Sequence, residues 1–230
     1  VWLPFVLVIA LGAILGAFNG LFTSRFAVPV LIITLGTASV FSGIMQGVLS
    51  SVQIPNLPPA MTEFGRATLF VATNPDSGLT SSMPMSFLIL VVVLVFAFVL
   101  LRYTTFGRGL YAMGGDESAA ERAGFKVRHI KFWLFVIVGI IASLAGLVRT
   151  SMMDSMHPTN LLGIELMVIA AVVLGGTAIT GGSGTLTGAM LGTLLIVIVQ
   201  NSMILVGIPT FWQGFSLGVL IIVGDRKSVV

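Results

Sequence analysis

The chain has 230 residues, of which 57% are hydrophobic and only 8% are charged. Its mean hydropathy of +1.11 excludes an ordinary soluble domain, in which about 25% of residues are charged. The 11 basic and 8 acidic residues give a net charge of +3. The basic residues concentrate in one loop between apolar segments, which favours membrane topology over nucleic-acid binding. Because cysteine is absent from this sequence, disulfides, thiolate metal sites and a thiol nucleophile are excluded.

Apolar segments close to the length that crosses a bilayer, about 20 residues, predict an all-α, polytopic transmembrane bundle. In chain order the seven segments, A to G, are 2–22, 30–49, 85–101, 131–147, 162–174, 186–205 and 211–223. Residues 50–84 contain five of the nine prolines and are predicted to form a loop with a short interfacial helix near 60–71. Segment E is short and is followed by Gly175-Gly176, which indicates a broken or partly re-entrant helix.

The distribution of Lys and Arg predicts the orientation of these segments. The loop between segments C and D, residues 102–131, contains Arg102, Arg108, Arg122, Lys126, Arg128 and Lys131. We therefore expect this loop to be cytoplasmic. Alternation of the spans then places Arg25 and the basic tail on the same side, and residues 50–84 outside the cell.

The two ends of the chain carry separate expectations. The sequence begins inside an apolar run without the features of a signal peptide, so we expect further N-terminal spans of a longer protein to precede it. Residues 1–224 are predicted to form one transmembrane domain. One codon choice for residues 225–230 reproduces a sequencing-adapter sequence, so this segment is interpreted either as read-through or as a short basic cytoplasmic tail.

Glycines recur at every fourth position in two places. The first set is Gly12, Gly16 and Gly20 in segment A, and the second is Gly184, Gly188 and Gly192 entering segment F. Small residues at this spacing form a flat helix face that lets a neighbouring backbone approach closely. We predict helix packing at both faces, in preference to a direct role in transport.

Few polar side chains interrupt the apolar segments. The candidates for a translocation pathway are Asn19, Thr34, Thr37, Glu165, Gln200 and Asn201. Polar groups inside a bundle either line a path or hydrogen-bond a neighbouring helix, and both explanations remain open for the neutral residues. Glu165 is ionisable and so suggests function, but its place in the first turn of segment E also suits the helix dipole.

Residues 114–124 within the 102–131 loop predict a short isolated helix. The candidate coupling residues are Gly114, Gly115, Asp116, Glu117, Ser118, Ala119, Ala120, Arg122, Ala123 and Gly124. Asp116 is predicted to cap the N-terminus and Gly124 to end the helix in the left-handed conformation. The small face formed by Ala119, Ala120 and Ala123 would allow close approach to a partner. An incidental helix in a cytoplasmic loop is the alternative.

Three blocks of sequence extend along nearly the whole chain. The first block comprises TFGR at 105–108, AMGGDESAA at 112–120 and AG at 123–124. The second comprises GIEL at 163–166, IAAVVLGGT at 169–177, GG at 181–182 and Gly184. The third comprises SRF at 24–26 and TLGT at 34–37. Together they resemble the permeases of ribose-type ABC importers, whose loop pattern is approximately T-x-F-G-R-x-x-Y-A-x-G-G-N-x-x-A-A-x-x-x-G. The chain departs from the family at Asp116, where Asn is common, and at Ser183, where Arg is frequent.

The resemblance implies a permease of about ten spans in the bacterial cytoplasmic (inner) membrane. It also implies two cytoplasmic ATPase subunits, a second permease copy in a homo- or heterodimer, an external substrate-binding protein and contact with membrane lipid. The substrate would be a simple sugar or related small polyol, and the partner ATPase would use ATP and Mg²⁺. We expect this chain to bind no cofactor or metal and to catalyse no reaction itself.

Two other classes of protein compete with this interpretation. An ion-coupled secondary transporter of a small polar solute would normally place ionisable residues within its spans, and apart from Glu165 these are lacking. A membrane enzyme is disfavoured because His129 and His157, the only histidines, are predicted on opposite sides of the membrane. The glycines near Gly181 are not followed by the lysine of a phosphate-binding loop.

Overall fold

The computed structural model describes residues 3–26, 28–50, 52–55, 57–73, 80–158, 163–178 and 180–209, together with residues 212, 214, 215 and 218. The elements in chain order are α1 (Leu3–Arg25), α2 (Val30–Leu49), β1 (Ile54–Pro55), α3 (Pro59–Arg66), β2 (Thr68–Thr73), β3 (Thr80–Pro84), α4 (Met85–Tyr103), α5 (Thr105–Gly115), α6 (Glu117–Arg122), α7 (Val127–Met153), β4 (Ser155–Met156), α8 (Ile164–Leu174) and α9 (Leu186–Leu205). The chain is therefore mostly helical.

Five of these helices, α1, α2, α4, α7 and α9, are long and apolar enough to cross a membrane. They confirm a polytopic helical membrane protein and correspond to the predicted segments A, B, C, D and F. The helix α7 extends beyond segment D at both ends, because Arg128 and Arg149 are polar residues that a hydropathy pattern assigns to the flanking loops. Segment G lies mostly outside the described residues.

The helix α8 has only 11 residues, about 16 Å at the α-helical rise, and cannot cross the hydrocarbon core alone. It ends in a Schellman motif, in which Gly176 adopts a positive φ of 86° and the Thr177 N–H donates to the Val172 carbonyl at 3.0 Å. This short helix agrees with the prediction that segment E is broken.

The prediction of a helix near 60–71 is wrong for its second half. The helix α3 ends at Arg66, and the chain then forms an antiparallel pair of strands, β2 and β3, in which Thr68 is opposite Pro84 and Thr73 is opposite Thr80. The run 68–71 contains β-branched and aromatic residues, which favour a strand over a helix.

The described residues divide into two compact units. The first comprises Val1–Val99 and Lys126–Asn160, and the second comprises Leu100–Phe125 and Leu161–Val230. In the first unit, α1 and α7 pack antiparallel through the predicted glycine face. A Cβ atom on Gly12 would contact the Ser143 side chain, one on Gly16 would contact the Phe135 carbonyl oxygen, and one on Gly20 would lie 2.8 Å from the Phe132 carbonyl oxygen. The packing role predicted for these three glycines is therefore confirmed.

One end of the first unit gathers several short elements around the C-terminus of α7. The helix α3 packs there so closely that a Cβ atom on Gly65 would contact the Ser151 carbonyl oxygen. Strand β1 pairs with β4, and Arg66 lies 3.8 Å from Asp154. The Phe5 ring at the start of α1 meets the Phe64 ring edge to face, with centroids 5.2 Å apart. The N-terminus of α1 and the C-terminus of α7 thus share this end, in agreement with antiparallel spans.

In the second unit, α8 packs on α9 through small residues. A Cβ atom on Gly188 would contact the Gly175 carbonyl oxygen, and one on Gly192 would contact the Ala171 carbonyl oxygen. The buried side chains beside this contact are Ala170, Ala171 and Ile196. The second glycine face therefore packs as predicted, except that Gly184 precedes the helix and instead packs on Thr177.

Candidate functional site

The helix α6 begins at an N-cap formed by Asp116. The carboxylate oxygen Oδ1 of Asp116 accepts hydrogen bonds from the backbone N–H of Ser118 at 2.9 Å and of Ala119 at 3.0 Å. The hydroxyl of Ser118 donates to the same oxygen at 2.8 Å. These bonds satisfy two N–H groups that the first turn of a helix would otherwise leave unpaired. The predicted cap is thus present.

The same hydrogen bonds set the charge state of Asp116. The bond from the Ala119 N–H, followed by those from Ser118, holds the pKa of the Asp116 carboxyl below its ordinary value of 3.8. A carboxylate that accepts hydrogen bonds is stabilised in its charged form. Asp116 is therefore negatively charged at neutral pH and complements the positive end of the α6 dipole.

The C-terminus of α6 is also fixed by backbone geometry. Gly124 adopts a φ of +89°, its N–H donates to the Glu121 carbonyl at 3.0 Å, and the Phe125 N–H donates to the Ala120 carbonyl at 3.1 Å. This pair of bonds is a Schellman motif. Glycine suits this position because other residues are disfavoured at such a positive φ. The predicted stop at Gly124 is present.

The structure corrects the predicted extent of this helix. Gly114 and Gly115 do not belong to it, because they form the end of a separate helix, α5, that the sequence reasoning missed. The hydroxyl oxygen of Thr104 caps α5 by accepting a hydrogen bond from the Gly107 N–H at 3.1 Å. A Thr directly before the helical run is a capping signal that would have predicted α5. Asp116 thus ends α5 and starts α6.

The exposed surface of α6 is smaller than predicted. Ala120 is only 3% exposed and is covered by the chain itself, so the expectation that it faces a partner is wrong. The residues of the predicted coupling segment that remain exposed are 115–119 and 121–124. The exposed small residues Ala119 and Ala123 thus lie between the charged residues Glu117, Glu121 and Arg122.

A second loop of the same unit contacts the end of α5. We define the glycine loop as residues 175–184, of which residue 179 lies outside the described residues. Gly181 and Gly182, with φ values of +91° and +77°, pack directly on the backbone of Gly114 and Gly115. The Tyr111 hydroxyl donates to the Gly184 carbonyl at 3.3 Å. No feature of the sequence predicted this contact.

Three candidate pathway residues lie in the first unit. The side-chain oxygen of Asn19 on α1 is buried and has no hydrogen-bond partner among the described residues. The hydroxyls of Thr34 and Thr37 on α2 donate to backbone carbonyls of their own helix, that of Thr34 to Val30 at 3.1 Å and that of Thr37 to Thr34 at 3.1 Å. Because α2 buries no residue within the described chain, neither threonine is enclosed in a path here.

The other three candidates lie in the second unit. Glu165 occupies the first turn of α8, where its charge would complement the helix dipole, and is exposed. The Gln200 side-chain amide donates to the sulfur of Met167 at 3.4 Å, which joins α9 to α8. Asn201 is exposed on α9. A pathway role for these residues stays a prediction.

Comparison with known proteins identifies a family and several relatives that resemble this chain along most of its length. Residues 1–224 match the family described as the branched-chain amino acid transport system / permease component. The ribose import permease protein RbsC of Haemophilus influenzae is 32% identical over 97% of this chain and 67% of its own length. RbsC of Bacillus subtilis is 35% identical over 91% of this chain and 63% of its own length.

The autoinducer 2 import system permease protein LsrC of Yersinia enterocolitica is 32% identical over 98% of this chain and 61% of its own length. The chain thus spans 61% to 67% of the length of these curated relatives. No solved structure matches it.

The five apolar helices of spanning length are those of a polytopic membrane protein, and the matched family and relatives place the chain among inner-membrane permease components. The chain belongs to the permease-component family that its residues 1–224 match. The resemblance to ribose-type importer permeases is confirmed by the relatives named for ribose and autoinducer 2.

Proposed function

We propose that the chain is part of the permease subunit of an ABC importer and moves a simple sugar or related small polyol into the cell. The observation that carries this proposal is the helix α6, which is capped at both ends, has five of its six residues exposed and lies between the spans α4 and α7 in the sequence. ATP would be hydrolysed by a separate cytoplasmic ATPase, and this chain would convert the ATPase motion into substrate passage.

The form of α6 suits docking to a partner. A helix of 6 residues would not be stable alone in water, because nucleation costs more than so few hydrogen bonds return. The Asp116 cap and the Gly124 stop keep it formed before any partner binds. A preformed element loses little conformational entropy on binding, so its exposed groups can transmit force without first folding.

The orientation follows from charge and from the antiparallel pairing of α1 with α7. We place the 102–131 loop and Arg25 in the cytoplasm, because most of the basic residues lie at that end of the spans. The end that contains α3 and the β1–β4 pair would then face outside. That external end is where we expect the substrate-binding protein to deliver its ligand.

The remaining details rest on the relatives. The relatives are named for the import of ribose and of autoinducer 2. Ribose is a small, uncharged sugar rich in hydroxyl groups, and the candidate pathway residues of this chain other than Glu165 are neutral hydrogen-bonding groups. We propose a substrate of this chemistry, a complete permease of about ten spans and a pair of permease subunits in the transporter. The ATPase subunit would bind ATP and Mg²⁺.

A secondary transporter is less well supported. Coupling to an ion gradient normally requires ionisable groups within the spans. Among the described residues of the five spanning-length helices, Asp, Glu, Lys and Arg occur only within the first or last five positions of a helix.

The test is binding of the ATPase subunit to the full-length permease. Ala119→Arg places a long charged side chain on the exposed face of α6, and we expect ATPase co-purification to fall at least about tenfold, equivalent to the loss of one well-packed contact. Ser183→Arg is the matched control, because it adds the same side chain to an exposed position where the family often carries arginine. Normal ATPase binding and transport by Ala119→Arg would show that α6 is not the docking element.

A further inference from the structure

The contact between α5 and the glycine loop is made by main chain on both sides. A Cβ atom on Gly114 would lie 2.5 Å from the Gly182 nitrogen, and one on Gly181 would lie 2.8 Å from the Gly114 carbonyl oxygen. A Cβ atom on Gly182 would lie 2.9 Å from the Gly115 Cα. Any side chain at Gly114, Gly181 or Gly182 would therefore separate the two segments.

Backbone hydrogen bonds join the described residues of the glycine loop to one another. The Ala178 N–H donates to the Ser183 carbonyl at 3.0 Å, and the Gly181 N–H donates to the Ala178 carbonyl at 3.0 Å. We therefore expect the loop to move together with α8 and α9, the two helices that it joins.

The two segments that meet in this contact are each followed or flanked by helices that matter for the proposed function. On one side, Asp116 alone separates α5 from the coupling helix α6. On the other side, the glycine loop leaves α8 at Gly175 and enters α9 at Thr185, whose hydroxyl oxygen accepts a hydrogen bond from the Gly188 N–H at 3.0 Å. The helices α8 and α9 carry Glu165 and Gln200.

We propose that the glycine contact is the joint through which displacement of α6 by the ATPase reaches α8 and α9. Gly114, Gly181 and Gly182 are then positioning residues for coupling, which act through α8 and α9 and touch neither ATP nor substrate. This inference rests on the proposed function. Closely packed main-chain contacts transmit small displacements because they cannot deform continuously without separating or shifting as a unit.

The test compares two glycines of the same loop. Gly182 and Gly176 both have a positive φ, +77° and +86°, so alanine is strained to a similar degree at either site. Of these two substitutions only Gly182→Ala would push against α5, since a Cβ atom on Gly176 meets no atom of the described residues within 4 Å. Gly114→Ala disturbs the same contact from the other side. Gly176→Ala is therefore a control for strain without loss of the contact.

The readout is labelling of a single cysteine that replaces the exposed Ser202 of α9 in the full-length permease, assembled with its ATPase subunit in membranes. The 230 residues contain no cysteine, so the introduced thiol reports on α9 without background from this region. Maleimide labelling is measured without nucleotide and with a non-hydrolysable ATP analogue. In the parent protein and in Gly176→Ala we expect the nucleotide to change the labelling rate by about tenfold, as typical coupling between sites does.

In Gly182→Ala and Gly114→Ala we expect this nucleotide effect to disappear while the ATPase remains bound. A full nucleotide effect in both variants would overturn the proposal. If neither variant assembles, Tyr111→Phe decides the matter, because it removes only the hydrogen bond to Gly184. A reduction of the nucleotide effect by at least about twofold supports the joint, and an unchanged effect contradicts it.

Failure of the proposed function would appear differently. The parent protein would then bind no ATPase and show no nucleotide effect at all. ATPase binding and the nucleotide effect in the parent protein therefore distinguish failure of the proposed function from failure of the proposed joint.

Discussion

The helix pairs α1–α7 and α8–α9 share one sequence pattern, glycine at every fourth position, but differ in the structure that this pattern supports. Both approach closely through glycines four residues apart, yet α1 and α7 have 23 and 27 residues whereas α8 has 11. The first pair is long enough to cross the membrane along its length. The second is cut short where Gly176 takes a positive φ and the chain enters the glycine loop.

This difference shows that glycine spacing predicts close approach but not what the approach is for. In α1–α7 the glycines of α1 contact the backbone of α7, a second helix of spanning length, so the two spans pack closely against each other. In α8–α9 the glycines instead fix a short hairpin whose turn contacts α5. Helix α2 gives a third outcome, because Cβ atoms on its Gly36, Gly43 and Gly47 would meet no atom within 4 Å in the part of the chain that the structure describes.

The largest effect is expected from Gly16→Leu in α1. The side chain would collide with main-chain atoms of Phe135 and Val136, which cannot move aside without separating the two helices. We expect a destabilisation of about 3 kcal/mol and a strong loss of assembled permease. The measurement is the amount of monodisperse protein extracted from membranes. Gly43→Leu on α2 is the control and should behave like the parent protein, since its Cβ position is open.

Gly188→Leu in α9 tests the other pair. Its side chain would meet the Gly175 carbonyl, but α8 is short and can shift with less loss of packed surface. We therefore expect more assembled protein than for Gly16→Leu, with transport reduced about tenfold because the glycine loop is displaced. Transport rates normalised to protein amount provide the check. Normal transport would mean that the α8–α9 contact is not needed in the working protein.

A smaller effect is expected from Asp116→Ala, which removes the cap of α6 but no packed side chain. We expect ATPase association to weaken by about fivefold in co-purification, whereas Asp116→Asn should retain the cap and bind normally. Equal weakening by both variants would assign the effect to charge and not to the cap.

The pH dependence of this cap has a definite sign. Since the folded-state pKa of Asp116 is depressed below 3.8, the cap is fully present above that value and is lost only as pH falls through the lowered pKa. ATPase association should therefore not vary between about pH 5 and pH 8 on account of Asp116.

Local chemistry decided which features could be predicted from sequence. The Asp116 cap and the Gly124 stop depend on residues within a few positions of each other, so their side-chain and backbone preferences were sufficient. The long helices followed from apolar length alone. The β2–β3 pair was missed because 68–71 was read only as a continuation of the preceding helix.

Features that join distant parts of the chain could not be predicted in this way. The sequence around Gly114 and Gly182 does not indicate that these two residues are in contact. Glycine has no side chain, so its chemistry gives no clue to the residue that it packs against. The burial of Ala120 was missed for a related reason, since alanine suits both a docking face and an internal contact.

The measurement closest to the central claim is reconstituted uptake by the full-length permease with its ATPase subunit and binding protein. The substrate would be the sugar that the binding protein selects from a panel of radiolabelled pentoses, hexoses and inositols. We predict uptake that requires both ATP and the ATPase subunit and continues after ionophores collapse the proton and sodium gradients. Uptake that proceeds without the ATPase subunit and stops when those gradients are collapsed would contradict an ATP-driven permease and identify a secondary transporter.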